Sequence, residues 1–167
     1  MPPGRDLGRH GLHGRARRRT LARRTGVNST LLTVYRLVVP GQNPERPVTS
    51  PEGRFHHNGQ PAIYTSLTPE GTRVAIARYA TDGVERDLWA LEIALTQLSD
   101  HSGNPALSVI WQNIRARGEP APTWRFSDQA RMKGAEAMLY SSRSRPELTH
   151  CVLFTPQVIR AIRRLST

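Results

Sequence analysis

Between Arg86 and Leu95 the chain alternates Leu88, Ala90 and Ala94 against Trp89, Leu91, Ile93 and Leu95. Neighbouring side chains of an extended backbone point to opposite faces, so this run has the period of a β-strand rather than a helix. Four more runs read as strands. Leu31 to Val39 is apolar and β-branched and closes on Pro40-Gly41, while Ala62 to Leu67, Ala137 to Ser141 and His150 to Phe154 are shorter. Thr68-Pro69-Glu70 starts a helix: Thr68 can cap, Pro69 suits the first turn, and Glu70 faces the positive end of the dipole. That helix is predicted to reach about Ala80, with Val74, Ala77 and Tyr79 inward, and to end at Asp82-Gly83. A second is predicted over 105–117, stopping at Gly118, and a third is capped by Ser127-Asp128 and ends at Gly134. Pro156 opens a final helix with Val158, Ile159, Ile162 and Leu165 inward and Arg160, Arg163 and Arg164 outward. The fold class is therefore α/β (α+β): a single compact domain with a small mixed sheet of about five strands and about four flanking helices.

Length and composition fit this reading. The chain has 167 residues, with 13 glycines and 13 prolines, which suit a loop-rich mixed fold and not a helical bundle. Residues 41–53, rich in proline and glycine, form an irregular loop. Cys151 is the one cysteine, so an internal disulfide framework and a multi-cysteine zinc site are both excluded. It reads as a buried structural thiol. No run approaches the roughly 18 apolar residues of a membrane span. The net charge of +11 is concentrated: residues 1–25 hold eight arginines against one acid, Asp6, which accounts for +7 of it. This head has too few apolar residues to bury a core, so residues 1–29 are expected to be a disordered Arg-rich extension and 30–167 the domain. The head could be a solvated or spurious extension, an arm holding nucleic acid through phosphates in a salt-dependent way, or a targeting segment.

No Gly-x-Ser-x-Gly elbow, P-loop or dinucleotide fingerprint occurs. His56 and His57 are adjacent, point apart on an extended backbone and have no third metal ligand near them in sequence. A distributed set remains. Glu52 to Tyr64 begins in a Gly53-Arg54 turn, crosses a polar loop and ends in an apolar strand finishing on Tyr64. Arg36 lies in the preceding apolar strand, where a charge must face water, a partner or a ligand. Guanidinium forks match phosphate oxygens in pairs, so Arg36 and Arg54 suit a diphosphate. Tyr64 could stack on a base or pyridine ring, and Ser142 could bond a ribose or an amide.

Arg36 in a strand, Gly53-Arg54-Phe55 through Tyr64, a helix, an alternating strand, then Gly134-Ala-Glu-Ala-Met-Leu-Tyr-Ser-Ser142-Arg143 and a terminal Val-Leu-Phe together resemble the RES-domain family over about Thr33 to Phe154. The resemblance implies an ADP-ribosyltransferase-like fold and a toxin of a bacterial toxin–antitoxin pair. It implies an NAD glycohydrolase or phosphorylase cleaving the nicotinamide–ribose bond in the cytoplasm, with NAD as substrate and no further cofactor. The implied partner is a helix-turn-helix (Xre-type) antitoxin, with a homodimer left open. Carried over by residue, Arg36 and Ser142 are catalytic, and Arg36, Arg54, Tyr64 and Ser142 bind NAD. The family glutamate should fall at Ala75, where there is no acid. A shifted acid (Glu70, Glu92 or Asp82) could substitute, or the chain is a weak or inactive member acting as a nucleotide- or antitoxin-binding module. A third reading is a basic nucleic-acid-binding protein working through the N-terminal arginines.

Overall fold

The structure is a computed structural model describing residues 28–166, so nearly all of the Arg-rich extension lies outside the described residues. Seven strands form one mixed sheet: β1 (Thr30–Val38), β2 (Ile63–Ser66), β3 (Asp87–Leu95), β4 (Leu98–His101), β5 (Ala137–Ser141), β6 (Thr149–Leu153) and β7 (Ile159–Leu165). Their order across the sheet is β4-β5-β6-β2-β1-β3-β7, and each neighbouring pair is antiparallel except the parallel β4 and β5. Three helices flank the sheet: α1 (Pro69–Ile76), α2 (Trp111–Ala116) and α3 (Trp124–Met132). The expected mixed α+β domain is thus present, with two strands more and one helix fewer than the sequence suggests.

Both faces of the sheet are covered. Val34, Leu91, Ile93, Leu139, Cys151 and Leu153 belong to the core on one face. On the other, Met138, Tyr140 and Val152 pack with Phe55, Leu107 and Ala130. Alternation along β5 therefore sends Leu139 to one core and Met138 and Tyr140 to the other. Cys151 is fully buried, which pushes its thiol up to about 12, and it fills space as a structural thiol.

The largest departure from the sequence reading is the C-terminus. Residues 159–165 are not a helix but the edge strand β7, paired antiparallel with β3. Ile159 and Ile162 stand three apart, a helical spacing, yet they lie opposite Ile93 and Leu91, which stand two apart. A register shift between Glu92 and Ile93 absorbs the extra residue, so a β-bulge puts both isoleucines on one face, where Ile159 packs against the core and Ile162, expected inward, is exposed. The pairing also satisfies backbone groups of β3 that an open edge would leave to solvent. A three-residue turn (Pro156–Val158), capped by Thr155, is all that Pro156 opens.

The other departures are local. α1 is capped by Thr68 as expected but stops at Ile76; its buried face is Gly71 and Thr72, while Ala77 and Tyr79 are exposed. The Thr72 hydroxyl donates to the Tyr35 carbonyl at 2.8 Å and ties α1 to β1. The 105–117 helix is broken into a short turn (Pro105–Leu107), capped by Asn104, and α2. α3 begins at Trp124, not at Ser127-Asp128. The Asp128 carboxylate receives His57 at 2.9 Å and Gln60 at 2.8 Å instead of capping the helix.

Candidate functional site

The segment from Gly53 to Tyr64 is held by α3 and the residue before it. Gly53 closes a narrow turn, its amide donating to the His56 carbonyl at 2.9 Å. A Cβ on Gly53 would lie 2.3 Å from Cε1 of His56, so only glycine permits the imidazole to fold back over the turn. Three consecutive carbonyls then find side-chain donors. Gly53 O accepts the Trp124 indole N–H at 2.7 Å, Arg54 O accepts the Thr123 hydroxyl, and Phe55 O accepts Arg131 Nη1 at 2.8 Å. Arg131 also reaches Pro61 O at 3.0 Å and lies over the Phe154 ring.

On the inner side of the turn, His56 and Tyr64 lock together. His56 Nε2 sits 3.1 Å from the Ser50 carbonyl, which can only accept, so Nε2 carries the hydrogen. Nδ1 is then free to accept the Tyr64 hydroxyl at 2.9 Å, and the Tyr64 oxygen accepts the Phe55 amide at 3.0 Å. Burial favours this arrangement: it lowers the His56 pKa and raises that of Tyr64 to about 12. His57 points elsewhere, stacked on Trp124 and bonded to Asp128.

The sheet opens where β1 and β2 meet at the single pairing Tyr35–Ser66. A cleft of about 850 Å³ occupies that opening, floored by β1 and β2 and walled by the 48–56 loop, α1 and the turn after β5. Arg36, Arg54, Tyr64 and Ser142 all line it. The four residues singled out in sequence, spread over more than a hundred positions, are therefore brought to one cavity.

Their roles differ from one another. Arg36 Nη1 donates to the carbonyls of Pro44 and Arg46, each at 2.7 Å, and so pins the proline-rich loop to β1. Burial brings its pKa down to about 10, which leaves it charged at neutral pH. Arg54 donates one nitrogen to the Leu107 carbonyl. In a continuous 105–117 helix that carbonyl would bond the amide four residues on, so the helix break is what frees it. The Arg54 guanidinium lies near the Phe55 and Tyr140 rings, 5.2 and 5.1 Å from their centroids, and its Nε is buried without a partner among the described residues. Ser142 is buried, and its oxygen accepts the Arg145 amide at 3.3 Å.

Ala75 lines the cleft from α1, at the position where the resemblance calls for an acid. None of the three substitutes considered above is among the lining residues. Glu70 pairs with Arg145 at 3.1 Å, Asp82 pairs with Arg86 at 2.6 Å, and Glu92 is exposed on β3. Among the described residues the cleft's one carboxylate is Glu52, held by both Nε and Nη2 of Arg115 at 3.0 and 3.1 Å.

Sequence reasoning passed over several lining residues. Ser66 Oγ and His150 Nδ1, 2.7 Å apart on the paired strands β2 and β6, form a buried dyad. Burial and the Arg54 charge hold His150 down at about 4, so it is neutral at physiological pH. Trp111, Arg78 and Arg143 also line the cleft. Arg78, three residues beyond Ala75, could have been found from the chain near α1. The Ser66–His150 pair, 84 positions apart, leaves no sequence signal.

Two outcomes follow from this geometry. Trp124→Phe removes the donor to a buried carbonyl and should destabilise the protein by about 1–3 kcal/mol in urea denaturation. His150 takes its proton in the unfolded chain near pH 6.5 but in the folded one only near 4. Stability is thus full above about pH 6.5 and falls as the pH drops toward 4, by up to about 3 kcal/mol from this residue. Denaturation midpoints measured at both ends of that window should differ less in His150→Gln than in the wild type.

Comparison with known proteins agrees with the geometry. No curated protein matches the chain in sequence. Among solved structures, the crystal structure of the M. tuberculosis MbcT–MbcA toxin–antitoxin complex contains a chain of similar fold. Its TM-score is 0.51 at 16% identity, over 83% of this chain and 86% of that one. The family model of the RES domain matches residues 33–166, taking in every strand from within β1 onward and the whole cleft. The chain belongs to the RES-domain family.

Proposed function

We propose that this protein is the toxin of a toxin–antitoxin pair and that its cleft binds NAD and breaks the nicotinamide–ribose bond. The convergence of Arg36, Arg54, Tyr64 and Ser142 on one cavity carries the reading. The cavity's volume of about 850 Å³ falls within the roughly 300–1,000 Å³ of small-molecule sites. Membership of the RES family and the fold shared with a toxin–antitoxin complex support the toxin role and an antitoxin partner.

Each residue has a distinct task. Arg54, with a buried nitrogen that has no partner among the described residues, meets the diphosphate, and Arg36 holds the loop that forms that wall. Tyr64, fixed by His56 and the Phe55 amide, presents a stationary ring edge to the nicotinamide end. Ser142 bonds the ribose or the amide. As the C–N bond breaks, its electron pair leaves with nicotinamide. The ribose carbon, cationic in the transition state, is captured by water with release of a proton, or by phosphate. A fixed carboxylate would stabilise that cation, and the one in the lining, Glu52, is already paired with Arg115.

That last observation favours a second reading, in which the cleft binds the dinucleotide with little or no turnover. One experiment separates the two. NAD consumption by the purified protein is compared with that of Ala75→Glu, alongside calorimetry with NAD and ADP-ribose. The catalytic reading expects measurable consumption in the wild type and a gain of about 10²–10³-fold in the variant. Binding without consumption, with activity appearing only in Ala75→Glu, supports the module reading. If neither protein binds NAD or ADP-ribose, the dinucleotide assignment is wrong. In cells, expression should arrest growth and co-expression of the antitoxin should relieve it.

A further inference from the structure

The cleft is more cationic than a dinucleotide diphosphate requires. Four arginines line it: Arg36, Arg54, Arg78 and Arg143. Arg36 is largely committed to the carbonyls of Pro44 and Arg46, and Arg54 to that of Leu107. Arg78 and Arg143 have no hydrogen-bond or ion-pair partner among the described residues, although other arginines, half-buried or exposed, pair with Asp82, Asp87, Glu119 and Glu147. Both line the same cavity as Arg54. Three guanidiniums thus line one space in which the single carboxylate among the described residues, Glu52, is already paired with Arg115.

The charges on the ligand side decide what such a space could hold. The diphosphate of NAD carries about two negative charges, partly offset by the positive nicotinamide ring. A phosphomonoester adds roughly 1.5–2 negative charges and three acceptor oxygens. Guanidinium forks bind such oxygens in pairs. Arg54 reaches the cleft from the Gly53 turn, Arg78 from just beyond α1, and Arg143 from the turn after β5. With Arg54 turned to the diphosphate, Arg78 and Arg143 approach from two different elements and offer a further phosphate two separate guanidiniums. Ala75, where an acid would repel such a group, leaves that wall uncharged.

We propose that Arg78 and Arg143 form a phosphomonoester subsite, so that the cleft prefers a dinucleotide bearing a third phosphate, of the NADP class, to NAD itself. The inference rests on the dinucleotide reading above and sets its specificity. Neither arginine holds the fold: both are exposed and neither is bonded to another described residue.

The test is calorimetry of the full chain with NAD, NADP and a 5′-phosphorylated oligonucleotide, repeated on Arg78→Gln, Arg143→Gln and the double variant. NADP is expected to bind at least about 10-fold tighter than NAD, with a steeper loss of affinity as salt rises. Each single variant should cut that ratio and the double variant should bring it close to one, with NAD affinity changed less than about threefold. Circular dichroism should show all three variants folded. Equal binding of NAD and NADP by the wild type overturns the subsite while leaving the dinucleotide reading intact. Binding of neither overturns both. An oligonucleotide that binds tighter than NADP also overturns the proposal, since it would make the arginines a nucleic-acid contact. If NADP preference survives in the double variant, the phosphate is held elsewhere.

Discussion

The capture of three consecutive carbonyls by α3 and the residue before it is the constraint on which the site depends. Residues 53–55 run through the interior without belonging to a sheet ladder, and a buried carbonyl without a donor costs about 1–3 kcal/mol. Trp124, Thr123 and Arg131 supply the three donors. With the backbone fixed from outside, Phe55 enters one core, Arg54 is driven into the cleft, and Tyr64 receives the Phe55 amide. Asp128 extends the same clamp to His57 and Gln60. The helix acts as a scaffold for the loop rather than as a source of ligand contacts.

A second constraint comes from the sheet. β1 pairs along its full length with β3 but touches β2 at one position, so the seven strands divide into two halves. Where a ladder is incomplete, backbone and side chains become available to line a cavity, and the cleft lies there. The proline-rich loop, held to β1 by Arg36, and α1, held to Tyr35 by Thr72, keep the opening from closing. Its charge follows from who is paired. Glu52 faces Arg115, whereas Arg54, Arg78 and Arg143 line the space with no carboxylate partner among the described residues. Such a cavity favours anions and offers little to a developing cation, which makes binding easier to explain than bond cleavage.

Much of this was legible in the chain. The five strands expected from alternation and β-branched runs are present with ends shifted by a residue or two, and Thr68-Pro69 marks the start of α1 as a cap should. The failures have particular causes. Ile159 and Ile162 carry a helical spacing that a bulge converts to one face of a strand, and a bulge depends on the partner strand, not on the segment itself. Ser127-Asp128 has the chemistry of a cap, but Asp128 finds His57, 71 positions away. The helix over 105–117 breaks where Leu107 gives its carbonyl to Arg54. β4, four residues long, is recognisable only beside β5.

The site divides in the same way. Sequence by itself determined the residue types that could meet a dinucleotide, namely Arg36, Arg54, Tyr64 and Ser142, and placed an alanine at position 75. These depend on order and spacing along a chain, which a linear string preserves. Tertiary structure alone decided that the four share one cavity and that none of Glu70, Glu92 and Asp82 reaches it. It alone decided that Arg36 chiefly holds a loop, that Ser66 meets His150, and that Arg78 and Arg143 have no partner among the described residues. Burial, pairing and the field inside a cleft are properties of distances between remote segments, and those distances exist only once the chain has folded.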